Sequence, residues 1–183
     1  MKTKKRSKIG YFLAFFICVA IIIGGALIFY QMKYPVKYQE FVVKYASEYS
    51  LDKTLVCSLI NEESSFDTNA VSSKGAMGLM QITSATGEFI AKKLDEEYNE
   101  ENLYDPETNI RYGCFYLDYL RTKFVDEEVY LSAYNAGETT VRLWLSNNNL
   151  SEDGVTLDTI PYKITREYTI SILQGKKHYI GRI

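Results

Sequence analysis

Histidine is almost missing from this sequence: His178 is the single one, and Trp144 is the single tryptophan. A Ser-His-Asp triad or a Cys-His pair would have to rest on that one imidazole, and a multi-histidine zinc site has no ligands to draw on. His178 itself reads as a solvated residue of the tail. The three cysteines, Cys18, Cys57 and Cys114, lack the paired spacing of a zinc site. Neither a metal nor a cofactor is expected. Cys57 and Cys114 fall on apolar helical stripes; an exported location permits a disulfide, but two buried thiols are the expectation. Proline is scarce, at three residues, and no repeat or low-complexity tract interrupts the chain.

What is present is globular in kind: 46% hydrophobic and 24% charged residues. Tyrosine is abundant, at 16 residues with 9 phenylalanines. Such rings usually fill cores and interfaces, and they also suit a carbohydrate groove, where a ring face stacks on a sugar while the hydroxyl bonds its substituents.

The chain opens with Lys2, Lys4, Lys5, Arg6 and Lys8, followed by 24 uncharged residues, Ile9 to Met32. As a helix this run spans roughly 36 Å, enough for a bilayer core of roughly 30 Å. The basic flank predicts a cytoplasmic N-terminus and an extracytoplasmic remainder. A cleaved signal peptide would end in small residues of the Ala-x-Ala kind, whereas this run ends Ala26-Leu27-Ile28-Phe29-Tyr30. Cys18 is preceded by Ile17, where a lipoprotein would carry a small residue. The expected organisation is a basic flank over 1–8, a membrane anchor over 9–32, a juncture over 33–37 and one domain over 38–183.

No acidic residue precedes Glu40, so residues 38–183 carry 14 basic and 23 acidic residues, a net of about −9. A nucleic-acid partner normally requires a basic face, and none is expected. Any grip on an anionic polymer must be local.

Within 38–183 the patterning is helical. Tyr38, Phe41, Val42, Tyr45 and Tyr49 follow a 3.6-residue period. Ser50 or Asp52 is placed to cap a helix carrying Leu55, Val56, Leu59, Ile60 and Glu63. Residues 68–82, with Gly75 and Gly78, read as loop with short strands at most. Asp105-Pro106-Glu107 is a strong helix start, and Ile110, Cys114, Leu117, Leu120 and Phe124 continue its apolar stripe. Further helices are predicted from Asp126 to Asn135-Ala136-Gly137, from Thr139 to Ser146, and over Tyr162 to Gln174.

One stretch carries chemistry: Glu63-Ser64-Ser65-Phe66-Asp67, then Ala70-Val71-Ser72, then Gly75-Ala76-Met77-Gly78-Leu79-Met80-Gln81. Glu63 falls where an apolar helix stripe meets a glycine-bearing loop. Burial there raises a carboxyl pKa and keeps it able to donate a proton, as glycoside cleavage requires. Ser64, Ser72 and Gln81 are candidates to hold it or a sugar substituent. Glu62 is equally eligible on these grounds.

The same run resembles the signature of soluble-lytic-transglycosylase-type domains, relatives of goose-type lysozyme. Asn109-Ile110-Arg111-Tyr112-Gly113, Ala133-Tyr134-Asn135-Ala136-Gly137 and Ile160-Pro161-Tyr162 with Thr165, Arg166 and Tyr168 resemble its later motifs, over roughly residues 50–173. The resemblance implies a mainly α, lysozyme-like α+β domain. It implies that Glu63, followed directly by serine, is the catalytic acid and base; that Ser72 orients it; that Gln81, Tyr134 and Asn135 line the glycan groove; and that Tyr168 lies close to the carboxylate. Ile164 departs from the glutamate often found there. The implied reaction cleaves the β-1,4 bond between N-acetylmuramic acid and N-acetylglucosamine in peptidoglycan, leaving 1,6-anhydro ends. The alternatives are a hydrolase of the same fold and a non-catalytic glycan-binding or assembly protein. Membership of a secretion, conjugation or wall-remodelling complex is compatible with the enzyme.

Overall fold

The computed structural model describes residues 8–183. The chain divides into two units, one up to Pro35 and one from Val36. The first is a single helix, α1 (Lys8–Lys33). Its window from Gly10 has a mean hydropathy of 2.9 and buries nothing against protein, so it is long and apolar enough to cross a bilayer. The basic residues before Lys8 lie outside the described residues.

The second unit is mainly helical, with α2 (Gln39–Glu48), α3 (Lys53–Ser64), α4 (Ser84–Leu94), α5 (Pro106–Lys123), α6 (Glu127–Ala136), α7 (Glu138–Leu145) and α8 (Lys163–Gly175). The expected capping residues start their helices. Asp52, Asp105 and Asp126 accept the backbone N–H groups of Thr54, Thr108 and Val129 at 2.8, 2.8 and 3.0 Å, supplying partners for donors that a helix start leaves unpaired. Gly137, at φ +92°, ends α6 and begins α7 in a backbone conformation that a side chain would strain. Between residues 64 and 84 the described residues hold no strand. Two antiparallel bridges, Val71 to Met77 and Met77 to Ile82, make up the small β-like region.

No element is assigned from sequence over 83–104, yet α4 and a 3-10 turn (Glu100–Tyr104) form there. The signal is a cap rather than a stripe: Thr83 accepts from the Thr86 N–H, and only Gly87, Ile90 and Ala91 of α4 are buried. His178 is half-buried, with Lys177 and Ile180 beside it exposed. The tail is tied down through Tyr179, which is fully buried against Phe66. Lys176, just before it, bridges Asp52 and Glu127 at 3.3 and 3.2 Å.

The core lies where α3, α5, α6 and α8 meet, through Leu55, Leu59 and Ile60 of α3, Ile110 and Leu117 of α5, Leu131 of α6 and Ile172 of α8. Cys57 and Cys114 are buried within it as free thiols. Desolvation raises both thiol pKa values, that of Cys57 to about 12. Neither is a thiolate at neutral pH.

Candidate active site

Helix α3 ends one residue after Glu63. Ser65 and Phe66 then both take positive φ, 52° and 63°, a pair of conformations held in place because Phe66 is 1% exposed. The Ser64 hydroxyl donates inward to the Leu79 carbonyl at 2.8 Å. Ser64, a candidate to hold Glu63 or a sugar substituent, thus pins α3 to the loop of 70–83.

Glu63 faces the other way. The Tyr168 hydroxyl, from α8, donates to Glu63 Oε1 at 2.6 Å. Burial raises the Glu63 carboxyl to about 7; the Tyr168 bond works against that by favouring the carboxylate, and the neighbouring Glu62 adds to the rise. Burial wins because one hydrogen bond replaces only part of the lost hydration. Near neutral pH both protonation states are populated, which suits a group that must give and then take a proton. Glu62, by contrast, is exposed and accepts from the Ser171 hydroxyl at 2.5 Å.

Glu63 opens into a cleft of about 220 Å³ lined also by Ser72, Lys74, Ala76, Gln81, Thr83, Tyr134 and Asn135. Four polar groups there are fixed by the protein in ways that leave one function each. Gln81, at φ 50°, spends its amide N–H groups on the carbonyls of Ala70 and Gly78 at 3.1 and 2.9 Å, leaving Oε1 as an acceptor. Asn135 accepts from the Thr165 hydroxyl at 2.8 Å, leaving its amide as a donor. Ser72 accepts from the N–H groups of Ala76 and Lys74 at 3.0 and 3.3 Å, leaving its own proton to donate. Tyr134 donates to the Met80 carbonyl at 2.9 Å, so its ring, not its hydroxyl, forms the wall. A donor and an acceptor lining the same cleft as a carboxyl complement an acetamido group, which presents one carbonyl and one N–H.

The cleft thus brings together Glu63, Ser72, Gln81, Tyr134 and Asn135, with Tyr168 behind the acid. Ser72 differs from expectation: its bonds shape the turn of 72–76 rather than hold Glu63. Lys74 and Thr83 also line the cleft, and nothing in their local sequence marks them. Asn109 is the residue whose role the sequence concealed. Fully buried behind the loop, it accepts the Met80 N–H at 2.7 Å and donates to the carbonyls of Leu103 and Met77 at 2.7 and 3.0 Å. A Cβ on Gly78, which sits at φ +74°, would lie 2.3 Å from the Asn109 amide and from the Leu103 carbonyl oxygen. Glycine is what lets the two segments close.

A family model described as the transglycosylase SLT domain matches residues 40–155 of the chain. The chain belongs to that family. The soluble lytic murein transglycosylase of Escherichia coli K12 is 31% identical over 153 residues, covering 81% of this chain and 24% of that protein. The membrane-bound lytic murein transglycosylase C of Haemophilus ducreyi is 32% identical over 168 residues, covering 79% of this chain and 46% of that protein. The chain therefore spans about a quarter of the soluble relative and under half of the membrane-bound one. Among solved structures, the 70 kDa soluble lytic transglycosylase of E. coli superposes with a TM-score of 0.72 at 28% identity, covering 87% of this chain and 26% of that one. An inactive mutant of the lytic transglycosylase Slt of Pseudomonas aeruginosa gives 0.73 at 27% identity, covering 82% and 25%. The helical, lysozyme-like architecture is thus that of the family. Tyr168 lies beyond the matched span.

Proposed function

We propose that this chain is a lytic transglycosylase that cleaves the β-1,4 bond between N-acetylmuramic acid and N-acetylglucosamine in peptidoglycan, with Glu63 as acid and then base. The observation that carries the reading is the half-buried Glu63 carboxyl, held by Tyr168 at 2.6 Å and raised to about 7, in a cleft where it is the one carboxylate among the lining residues. Protonated Glu63 donates to the bridging oxygen as the glycosidic bond breaks. The resulting carboxylate takes the proton of the muramic 6-hydroxyl, whose oxygen attacks the anomeric carbon and closes the 1,6-anhydro ring. The nucleophile is already part of the substrate, so proximity favours it. Gln81 and Asn135 hold acetamido groups through the acceptor and donor left to them.

Hydrolysis by two carboxylates would need a second acid near Glu63. Asp67, the nearby candidate in sequence, instead accepts the Asn69 N–H at 2.9 Å and does not line the cleft. Digestion of purified peptidoglycan by the full chain in detergent, in ¹⁸O-labelled water, tests the reading: anhydro ends without label are expected. Labelled reducing ends in the majority would leave a lysozyme in its place.

The helix α1 anchors the enzyme, with the basic flank cytoplasmic and residues 38–183 outside. The membrane-bound character of the H. ducreyi transglycosylase, stated in its name, supports the anchor. Full-length chain in the membrane fraction, digestible from outside intact cells, is the expected result; release of a shortened form into the medium would refute it.

A further inference from the structure

Among the described residues the Glu63 cleft is lined by one cation, Lys74, which stands beside Ser72 and Gln81. Lys74 is exposed, and among the described residues no carboxylate pairs with its ammonium. The backbone that carries it is fixed. The Gly75 N–H donates to the Ser72 carbonyl at 2.9 Å, and the Lys74 N–H donates to Ser72 Oγ at 3.3 Å. The Ser72 N–H donates to the Ala76 carbonyl at 2.9 Å, and Ser72 Oγ accepts the Ala76 N–H at 3.0 Å. Gln81, on the same loop, is tied back to the Ala70 carbonyl at 3.1 Å. A free ammonium is thus held on a braced turn, in the loop that also sets the acceptor of Gln81.

The surroundings exclude other roles for this charge. Burial, Tyr168 and Glu62 set the proton affinity of Glu63, and Lys74 takes no part. Nor does Lys74 belong to a basic surface, because residues 38–183 carry a net charge of about −9. With no carboxylate of the protein to neutralise, the ammonium faces whatever enters the cleft. The two sugars of the strand differ in what they offer it. N-acetylglucosamine is neutral. N-acetylmuramic acid carries at O3 a lactyl arm ending in a carboxyl, which is free or extended by a peptide with carboxyl groups of its own. Lysine meets such a group as a point charge on a flexible stem, without the fixed fork of arginine, which suits an arm that itself rotates.

We infer that Lys74 is a specificity residue that pairs with a carboxylate on the O3 arm of a muramic residue in the cleft. That carboxylate belongs to the lactyl group on a bare strand and to the peptide on a substituted one; the chemistry is the same. The inference rests on the glycan-cleaving reading of the cleft. It adds a selection by charge to the neutral acceptor of Gln81 and the neutral donor of Asn135.

Binding without turnover tests it. The full chain carrying Glu63→Gln, in detergent micelles, is titrated calorimetrically with a tetrasaccharide of alternating N-acetylglucosamine and N-acetylmuramic acid. Two pairs of ligands are compared: free lactyl carboxylates against lactyl methylamides, and L-Ala-D-Glu stems against the same stems amidated at both carboxyls. The carboxylate form is expected to bind about three- to tenfold more tightly, the scale of one exposed charge-assisted pair. An advantage in the first pair assigns the lactyl carboxylate, and one confined to the second assigns the peptide. Adding Lys74→Gln should abolish the advantage and leave the neutral forms bound as before. Lys74→Arg should keep it, and added salt should shrink it. No advantage in either pair, or one that survives Lys74→Gln, overturns the inference. So does equal weakening of charged and neutral forms, which would make Lys74 a structural part of its turn. Failure of the catalytic reading would show separately, as wild-type protein that releases no anhydro ends.

Discussion

The two walls of the Glu63 cleft are built in different ways. One is helical: Glu63, Tyr134 and Tyr168 come from α3, α6 and α8, whose buried faces form the core, so their positions follow from packing. The other is the loop of 70–83, where Ser72 and Gln81 are set by side-chain bonds to backbone groups and by Asn109 from behind. The carboxyl sits on the helical wall, where burial can raise its pKa. Shape sits on the loop wall, where short polar bonds leave one free donor or acceptor each. A change in the helical wall should therefore act on proton transfer, and a change in the loop wall on stability and substrate fit.

The sharpest separation is Glu63→Gln. Glycan cleavage should fall by about 10²–10⁴-fold or more, because the proposed mechanism assigns both the general acid and the general base step to this one group. Stability should move the other way. The folded carboxyl is raised to about 7 from an ordinary 4.5, so the stability it contributes is complete below about 4.5 and is lost as pH rises through 7. The variant should match wild type near pH 4 and exceed it above pH 7, by up to about 3 kcal/mol. Chemical denaturation at the two pH values reads this, and an equal offset at both would remove the burial argument.

Tyr168→Phe comes next. It removes a hydrogen bond to a charged group, a loss of about 1.5–3 kcal/mol, so a fall in kcat of roughly ten- to a hundredfold is expected. Because the Tyr168 bond lowers the Glu63 pKa, its loss should move the alkaline limb of the pH profile upward. A downward move would mean that Tyr168 does not stabilise the carboxylate.

Asn109→Ala tests the loop wall. It leaves the Met80 N–H and the Met77 and Leu103 carbonyls without their partner, at about 1–3 kcal/mol of stability, measured as a lowered Tm. KM should rise more than kcat falls, with the pH limb unmoved. A shifted limb would show that the two walls are not separable.

The smallest effect is expected for Glu62→Gln. This side chain is exposed and bonds Ser171, so glycan cleavage should stay within a few-fold of wild type. A collapse of activity would reverse the choice between the adjacent acids.

Much of this molecule depends on neighbours in sequence, and that part was legible. Asp52, Asp105 and Asp126 start their helices because a cap needs only a residue two or three positions on. The apolar run of α1 needs no partner to be recognised. Glu63, Gln81, Tyr134, Asn135 and Tyr168 were legible as members of ordered motifs. The family resemblance, not periodicity, singled out Glu63 from Glu62.

Other features depend on residues far apart, and only the tertiary structure decided them. Tyr168 reaches Glu63 across 105 positions and Asn109 reaches Met80 across 29; spacing cannot encode either contact. Ser64 turns inward because the Leu79 carbonyl lies there, and the tail packs because Lys176 finds Asp52 and Glu127 on two other helices. The sequence determined which groups were present and where the helices began. Folding determined which of two adjacent carboxyls lost its water, and that loss of hydration raises the proton affinity of Glu63 and not merely its proximity to a cleft.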